Sequence, residues 1–212
     1  MKSLLSFALS TTLILRNTAV SSAASPQKCT PAPAPETPPD PLPVFDLVEY
    51  YYEPPSRQSP PELLSTQVSE SQIRNKLALN SLALDGEDFD GLDYIFTKDA
   101  VVNLSAPIGV VKGRDNIKQA IRQVLTMGEG VDGHDLISSP LIEVDPQNPC
   151  SAKSLTYFTT TFFGVSGPLQ GLVSTLNGEF RDIWVQDEAG EWRISIRILV
   201  YIGYPIGNLL PQ

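Results

Sequence analysis

Histidine is nearly missing from this chain: 212 residues carry one, with two cysteines, two methionines and two tryptophans. A single imidazole with scattered acids has no zinc or iron ligand spacing, so a metal site is not expected. Lys and Arg number 15 against 24 Asp and Glu, a formal net charge of -9, and they form no cluster. Phosphate backbones are held by clustered cations, so no nucleic-acid partner is expected. Long apolar runs are also lacking: Leu4 to Leu15 is too short to span a bilayer and no later segment is better, which argues against a stable membrane anchor. There is no G-x-S-x-G elbow, no glycine-rich phosphate loop and no dinucleotide fingerprint. Gly164-Val165-Ser166-Gly167-Pro168 reads as a turn between strands. These gaps disfavour serine-hydrolase and nucleotide chemistry, and no cofactor is implied.

What is abundant is proline, 19 residues, concentrated near the start. Residues 1–24 read as a secretory signal peptide, with Lys2, the apolar middle and the small residues Ser21-Ser22-Ala23-Ala24. Residues 25–61 form a proline-rich arm or linker that favours extended polyproline conformation. Inside it Val44-Phe45-Asp46-Leu47-Val48-Glu49-Tyr50-Tyr51-Tyr52 is apolar and aromatic, so part of the arm is expected to lie on the domain or to be one sticky patch in a spacer. A secreted or lumenal chain meets an oxidising compartment, where Cys29 and Cys150 are expected to pair as a disulfide. On that route Asn103-Leu104-Ser105 is a glycosylation sequon at Asn103, within a run that reads as a strand.

Residues 62–212 read as one globular domain. Ile73, Leu77, Asn80 and Leu84 recur at helical spacing and Gly86 ends that helix. Asp88 caps a short second helix to Ile95, Ala100 to Leu104 is a strand, and Ile117, Ile121, Val124 and Leu125 stripe a third helix after Gly113. After Gly133 the period becomes that of strands: 134–144, 152–165, 169–186 and 191–202, separated by turn residues. Helices first and antiparallel strands afterwards predict an α+β domain. A curved sheet against helices leaves an apolar cavity, the default site.

Two residues could bring chemistry to it. Asp85 stands at the end of the first helix and His134 opens a strand, and a carboxylate with an imidazole in an apolar pocket makes a general base near neutral pH. Otherwise Asp85 is a helix-end residue and His134 a satisfied structural histidine. Phe89, Leu104, Tyr157, Phe162, Trp184 and Tyr201 are cavity candidates whose plain alternative is core packing. Glu179 and Arg181 share a strand face, a pattern more usual for an exposed pair.

Asp85-Gly86-Glu87-Asp88-Phe89-Asp90-Gly91-Leu92, Ile95-Phe96-Thr97-Lys98-Asp99-Ala100-Val101-Val102, Gly113-Arg114-Asp115-Asn116-Ile117, His134, Gly178-Glu179-Phe180-Arg181-Asp182 and Trp192-Arg193-Ile194 with Arg197 come in a telling order. From Ile73 to Ile202 the chain resembles the nuclear-transport-factor-2-like superfamily, and within it SnoaL-like cyclases and scytalone-dehydratase-like proteins. The resemblance implies a cone-shaped, mainly antiparallel sheet wrapped around helices. It also implies that Asp85 orients His134, which removes a proton beside a carbonyl or leaving group. Where scytalone dehydratase has two carbonyl-holding tyrosines and a second histidine, this chain has Leu84, Leu104 and approximately Phe162. The implied function is a cofactor-independent lyase, isomerase or cyclase acting on an apolar small molecule, of the polyketide or terpenoid kind made in secondary metabolism. A secreted carrier or effector without chemistry and a pericyclase-type shape catalyst are the alternatives, and a homo-oligomer is allowed.

Overall fold

The computed structural model describes residues 29, 60–125 and 130–209. The expected signal peptide, most of the proline-rich arm and Gly128-Glu129 lie outside them. The first helix, α1 (Pro60–Asp85), buries Ile73, Leu77 and Asn80, the stripe that the sequence marks, together with Ala83. It ends with the Gly86 N–H donating to the Leu82 carbonyl and the Asp88 N–H donating to that of Ala83. The left-handed residue of this turn is Glu87, at φ 51°, rather than Gly86. The Asp88 side chain then accepts from the Gly91 N–H and caps a 3-10 segment, Phe89–Tyr94, the short second helix that the sequence predicts.

The strands that follow are β1 (Phe96–Asn103) and β2 (Val110–Lys112). The second α-helix, α2 (Arg114–Leu125), precedes β3 (Val131–Ile137), β4 (Leu141–Val144), β5 (Ser151–Gly164), β6 (Val173–Gln186), β7 (Trp192–Tyr201) and β8 (Ile206–Gly207). They make one sheet in the order β2-β1-β7-β6-β5-β3, with β4 also on β5 and β8 on β6. All pairings are antiparallel except β1 with β7. The strand expected over 134–144 is two strands, because Ser138-Ser139-Pro140 interrupts it and proline cannot donate to the ladder.

The sheet curls around the helices and its inner face is divided in two. At one end Trp184, Trp192, Ile194, Phe96 and Ile95 pack against Ile73 and Leu77 of α1 and Ile117 of α2. This end is solid. At the other, Phe158 and Phe180 stack with ring centroids 4.4 Å apart beside Leu199, and the packing opens into a cavity. Cys29 and Cys150 form the expected disulfide, with Cα atoms 5.6 Å apart, at the start of β5.

Candidate active site

The cavity holds about 100 Å³. Its apolar wall includes Leu84, Val102, Leu104, Phe158, Phe162 and Leu199. Five polar side chains reach it: Asn80 on α1, Asp135 on β3, Thr160 on β5, and Arg197 and Tyr201 on β7. A mostly apolar chamber with a few convergent polar groups is the form a small-molecule site takes.

Strand register explains which side chains enter. Gly133, Asp135 and Ile137 of β3 stand opposite Phe162, Thr160 and Phe158 of β5, the inward set. His134 stands opposite Thr161, on the other face, and its side chain is 54% exposed. The pairing foreseen from the sequence is present: His134 Nδ1 lies 2.7 Å from Asp85 Oδ2. The expectation that both residues line the main cavity is corrected, because side chains alternate along a strand and position 134 has the outward phase. Asp85 instead borders a small adjoining recess with Leu84, Leu125, Asp135 and Thr160.

Asp85 has a second bond that the sequence does not disclose. Its Oδ1 accepts the Asp135 backbone N–H at 2.7 Å. Among the described residues β3 is an edge strand, so the carboxylate of α1 satisfies an N–H that no described strand pairs. His134, Asp85 and the Asp135 backbone thus form one clamp between helix and sheet edge. The clamp fixes the Asp135 side chain inside the cavity, where its Oδ1 accepts from the Thr160 hydroxyl at 2.5 Å.

Burial pushes the Asp135 carboxyl above the ordinary aspartate value, and the Asp85 charge adds to that; the Thr160 hydrogen bond, Arg197 and His134 oppose it. Tyr201, at the same wall, has its phenol raised by burial and by Asp135. Deeper in, Arg197 makes a bidentate pair with the buried Asp182, Nε to Oδ1 at 2.7 Å and Nη2 to Oδ2 at 2.8 Å. Its Nη1 donates to Asn80 Oδ1 at 3.0 Å, and its guanidinium lies over the Phe180 ring at 4.2 Å. Full burial pushes the Asp182 carboxyl upward and the Arg197 charge pulls it back. These bonds use three of the five N–H groups of Arg197 and hold its position in the wall.

Of the other cavity candidates, Leu104, Phe162 and Tyr201 line the chamber. Trp184 does not: it is fully buried in the solid end, donating to the Ser154 hydroxyl at 2.8 Å. Phe89 belongs to the same cluster, with the Arg122 guanidinium over its ring. Tyr157 sits on the outer face, half exposed, because its odd-numbered place on β5 has the outward phase. Asn103 is half-buried at the end of β1, its side-chain oxygen accepting from the Ser105 N–H. Glu179 and Arg181 are ion-paired as their spacing suggests, yet buried, at 2% and 6% exposure, rather than exposed. Asp135, Asn80 and Arg197 are the site residues that sequence reasoning left unassigned. An Asn within the apolar stripe of α1 was the available signal.

Among the described residues no group of three His, Cys, Asp or Glu side chains is placed to hold a metal, and no helix is long and apolar enough to cross a membrane.

Comparison with known proteins agrees with this architecture. A hexachlorocyclohexane dehydrochlorinase, LinA type 2, superposes with a TM-score of 0.58 at 14% identity, over 68% of this chain and 92% of that one. A Kribbella flavida protein gives 0.56 at 13% identity, over 66% and 94%. A Novosphingobium aromaticivorans protein named for scytalone dehydratase gives 0.53 at 20% identity, over 68% and 91%. No curated protein matches by sequence. These likenesses show the fold. Residues 68–198 match the SnoaL-like domain, and the chain belongs to that family.

Proposed function

We propose that this protein is a cofactor-independent lyase, isomerase or cyclase that binds a small apolar molecule in the cavity and moves a proton with Asp135. The observation that carries the reading is the inward carboxyl of Asp135, held at Thr160 in a mostly apolar chamber. A carboxyl raised by burial is a stronger base when ionised and keeps its proton to higher pH when neutral. In an elimination, its carboxylate takes a proton from the carbon beside a carbonyl, and the C–H electrons form the new double bond. The leaving oxygen departs with its bonding pair and takes a proton from the same carboxyl, which ends as it began. For isomerisation the proton returns to a different carbon. Tyr201 and the remaining N–H groups of Arg197 are placed to meet the substrate oxygen.

In this reading His134 and Asp85 position Asp135 rather than touch the substrate. The apolar wall suits a polyketide or terpenoid intermediate. We further propose a secreted or lumenal protein, a setting supported by the Cys29 to Cys150 bond, with a signal peptide over 1–24 and Asn103 as its glycan acceptor. Mass spectrometry of the secreted chain reads the mature N-terminus and the Asn103 mass together.

The exposure of His134 favours a second reading, a secreted carrier that keeps the chamber without chemistry. Incubating the mature protein with a small-molecule extract of its source separates the two. Enzyme action predicts a retained compound that is converted, with conversion lost in Asp135→Asn. Retention of an unchanged compound by both proteins establishes the carrier.

A further inference from the structure

We infer that the outer face of the sheet is a docking surface for the chain's own proline-rich arm, with Val44 to Tyr52 as the docked segment. The register defines this face. Lys153, Ile183 and Ile196 form one row across β5, β6 and β7, and Leu155, Arg181 and Ile198 form the next. Tyr157, Glu179 and Val200 form a third, while Val101 of β1 stands beside Ile196. All point away from Phe180, Asp182, Arg197 and Leu199, which face the cavity and the helices.

A sheet face without a second layer leaves its side chains wet. Here Ile198 is 5% exposed, and Val101, Leu155 and Ile196 are also buried, yet none belongs to either apolar cluster of the inner face. The Glu179 to Arg181 ion pair lies in their midst, buried as well. Neighbours within one sheet do not exclude water so fully, so another layer lies over these rows. Both α-helices occupy the opposite face.

The arm is tied to the sheet at one end and runs into α1 at the other. Cys29, itself buried, is bonded to Cys150, one residue before the first residue of β5. Residues 30–59 then lead to Pro60, where α1 begins. Lys76 of α1 pairs with Glu191, just before β7 starts, so the early turns of α1 lie toward the disulfide end of the sheet. The arm therefore leaves from and returns to one end. At about 3.1 Å per residue in polyproline form, half of it reaches roughly 45 Å. The path from Cys150 along β5 to the Tyr157 row is only about 23 Å at a strand's rise per residue. Out and back is within reach. The segment from Val44 to Tyr52 brings Val44, Phe45, Leu47 and Val48 for the isoleucine rows, and three tyrosine hydroxyls that can meet the Glu179 to Arg181 pair without stranding it.

Carbene footprinting with mass spectrometry tests this on the full secreted chain and on a variant in which residues 44–52 are replaced by a Gly-Ser segment of equal length, keeping the disulfide. In the intact monomer both the 44–52 peptide and the peptides bearing Leu155, Ile196 and Ile198 should be protected. In the variant the face should label roughly tenfold more or become buried in a new dimer seen by sedimentation. A face still protected in a monomeric variant overturns the proposal, since another segment then covers it. A dimer already present in the intact chain, with 44–52 freely labelled, overturns it in favour of a second copy. If the variant does not fold, the intact chain decides: 44–52 labelled as strongly as in urea contradicts the docking, and protection of both partners in the monomer upholds it.

Discussion

His134 and Asp135 are neighbours in the chain and face opposite sides of β3. The outward one has a residue type that suggests catalysis and lies half-exposed on the other face. The inward one has an ordinary residue type and surroundings that raise its proton affinity beside an apolar cavity. The contrast teaches that chemistry on a strand is set by phase before it is set by residue identity, because a shift of one position exchanges the faces. The same holds two strands away. Asp182 and Arg197 point inward and brace the chamber, whereas Glu179 and Arg181 point outward and are buried by another layer.

Breaking the inward brace should have the largest effect. Asp182→Ala strands the Arg197 guanidinium without its bidentate partner, and should cost about 3–5 kcal/mol in urea unfolding. Asp135→Asn keeps the shape and removes the titrating group. Conversion of the bound compound should fall by about 10²-fold or more, while melting temperature holds or rises at neutral pH. The sign follows from linkage. A native carboxyl raised above 3.8 binds its proton more tightly than the unfolded chain, so it costs stability as pH climbs from that value through its folded pKa. The stability gap between Asp135→Asn and the natural chain should therefore widen across that window and stay constant above it.

Leu104→Trp fills the chamber from the residue that follows β1. Compound retention should be lost at an overpacking cost of about 1–3 kcal/mol, readable by equilibrium dialysis and thermal melts. His134→Ala should have the smallest effect. It removes the outer half of the clamp, leaves the bond from the Asp135 N–H to Asp85 in place, and should lower stability by less than about 1 kcal/mol. Conversion should drop by about tenfold or less, since the lost group is not in the chamber. A larger loss would move the chemistry back to the outer face.

The helices, the change of period after Gly133 and the inter-helix sheet architecture were legible because each rests on local apolar spacing. The meeting of Asp85 with His134 was legible from the family resemblance, and that of Cys29 with Cys150 from an even cysteine pair behind a secretory-type start. The phase of β3 was not, since Val131-Asp132-Gly133-His134-Asp135-Leu136-Ile137 alternates weakly and either face reads as apolar enough. Burial of Glu179 and Arg181 depends on a covering layer that no spacing within β6 records. The short strands β2 and β8 and the parallel pairing of β1 with β7 also arise only from tertiary placement.

Carbon-13 titration of the Asp135 side-chain carboxyl, in the folded protein with and without a retained compound, tests the inward site most directly. The midpoint should lie above the ordinary 3.8 and move when the chamber fills, with the His134 ring signals little changed. An Asp135 that titrates at or below 3.8 and ignores the compound, while the His134 ring responds to it, would contradict the account.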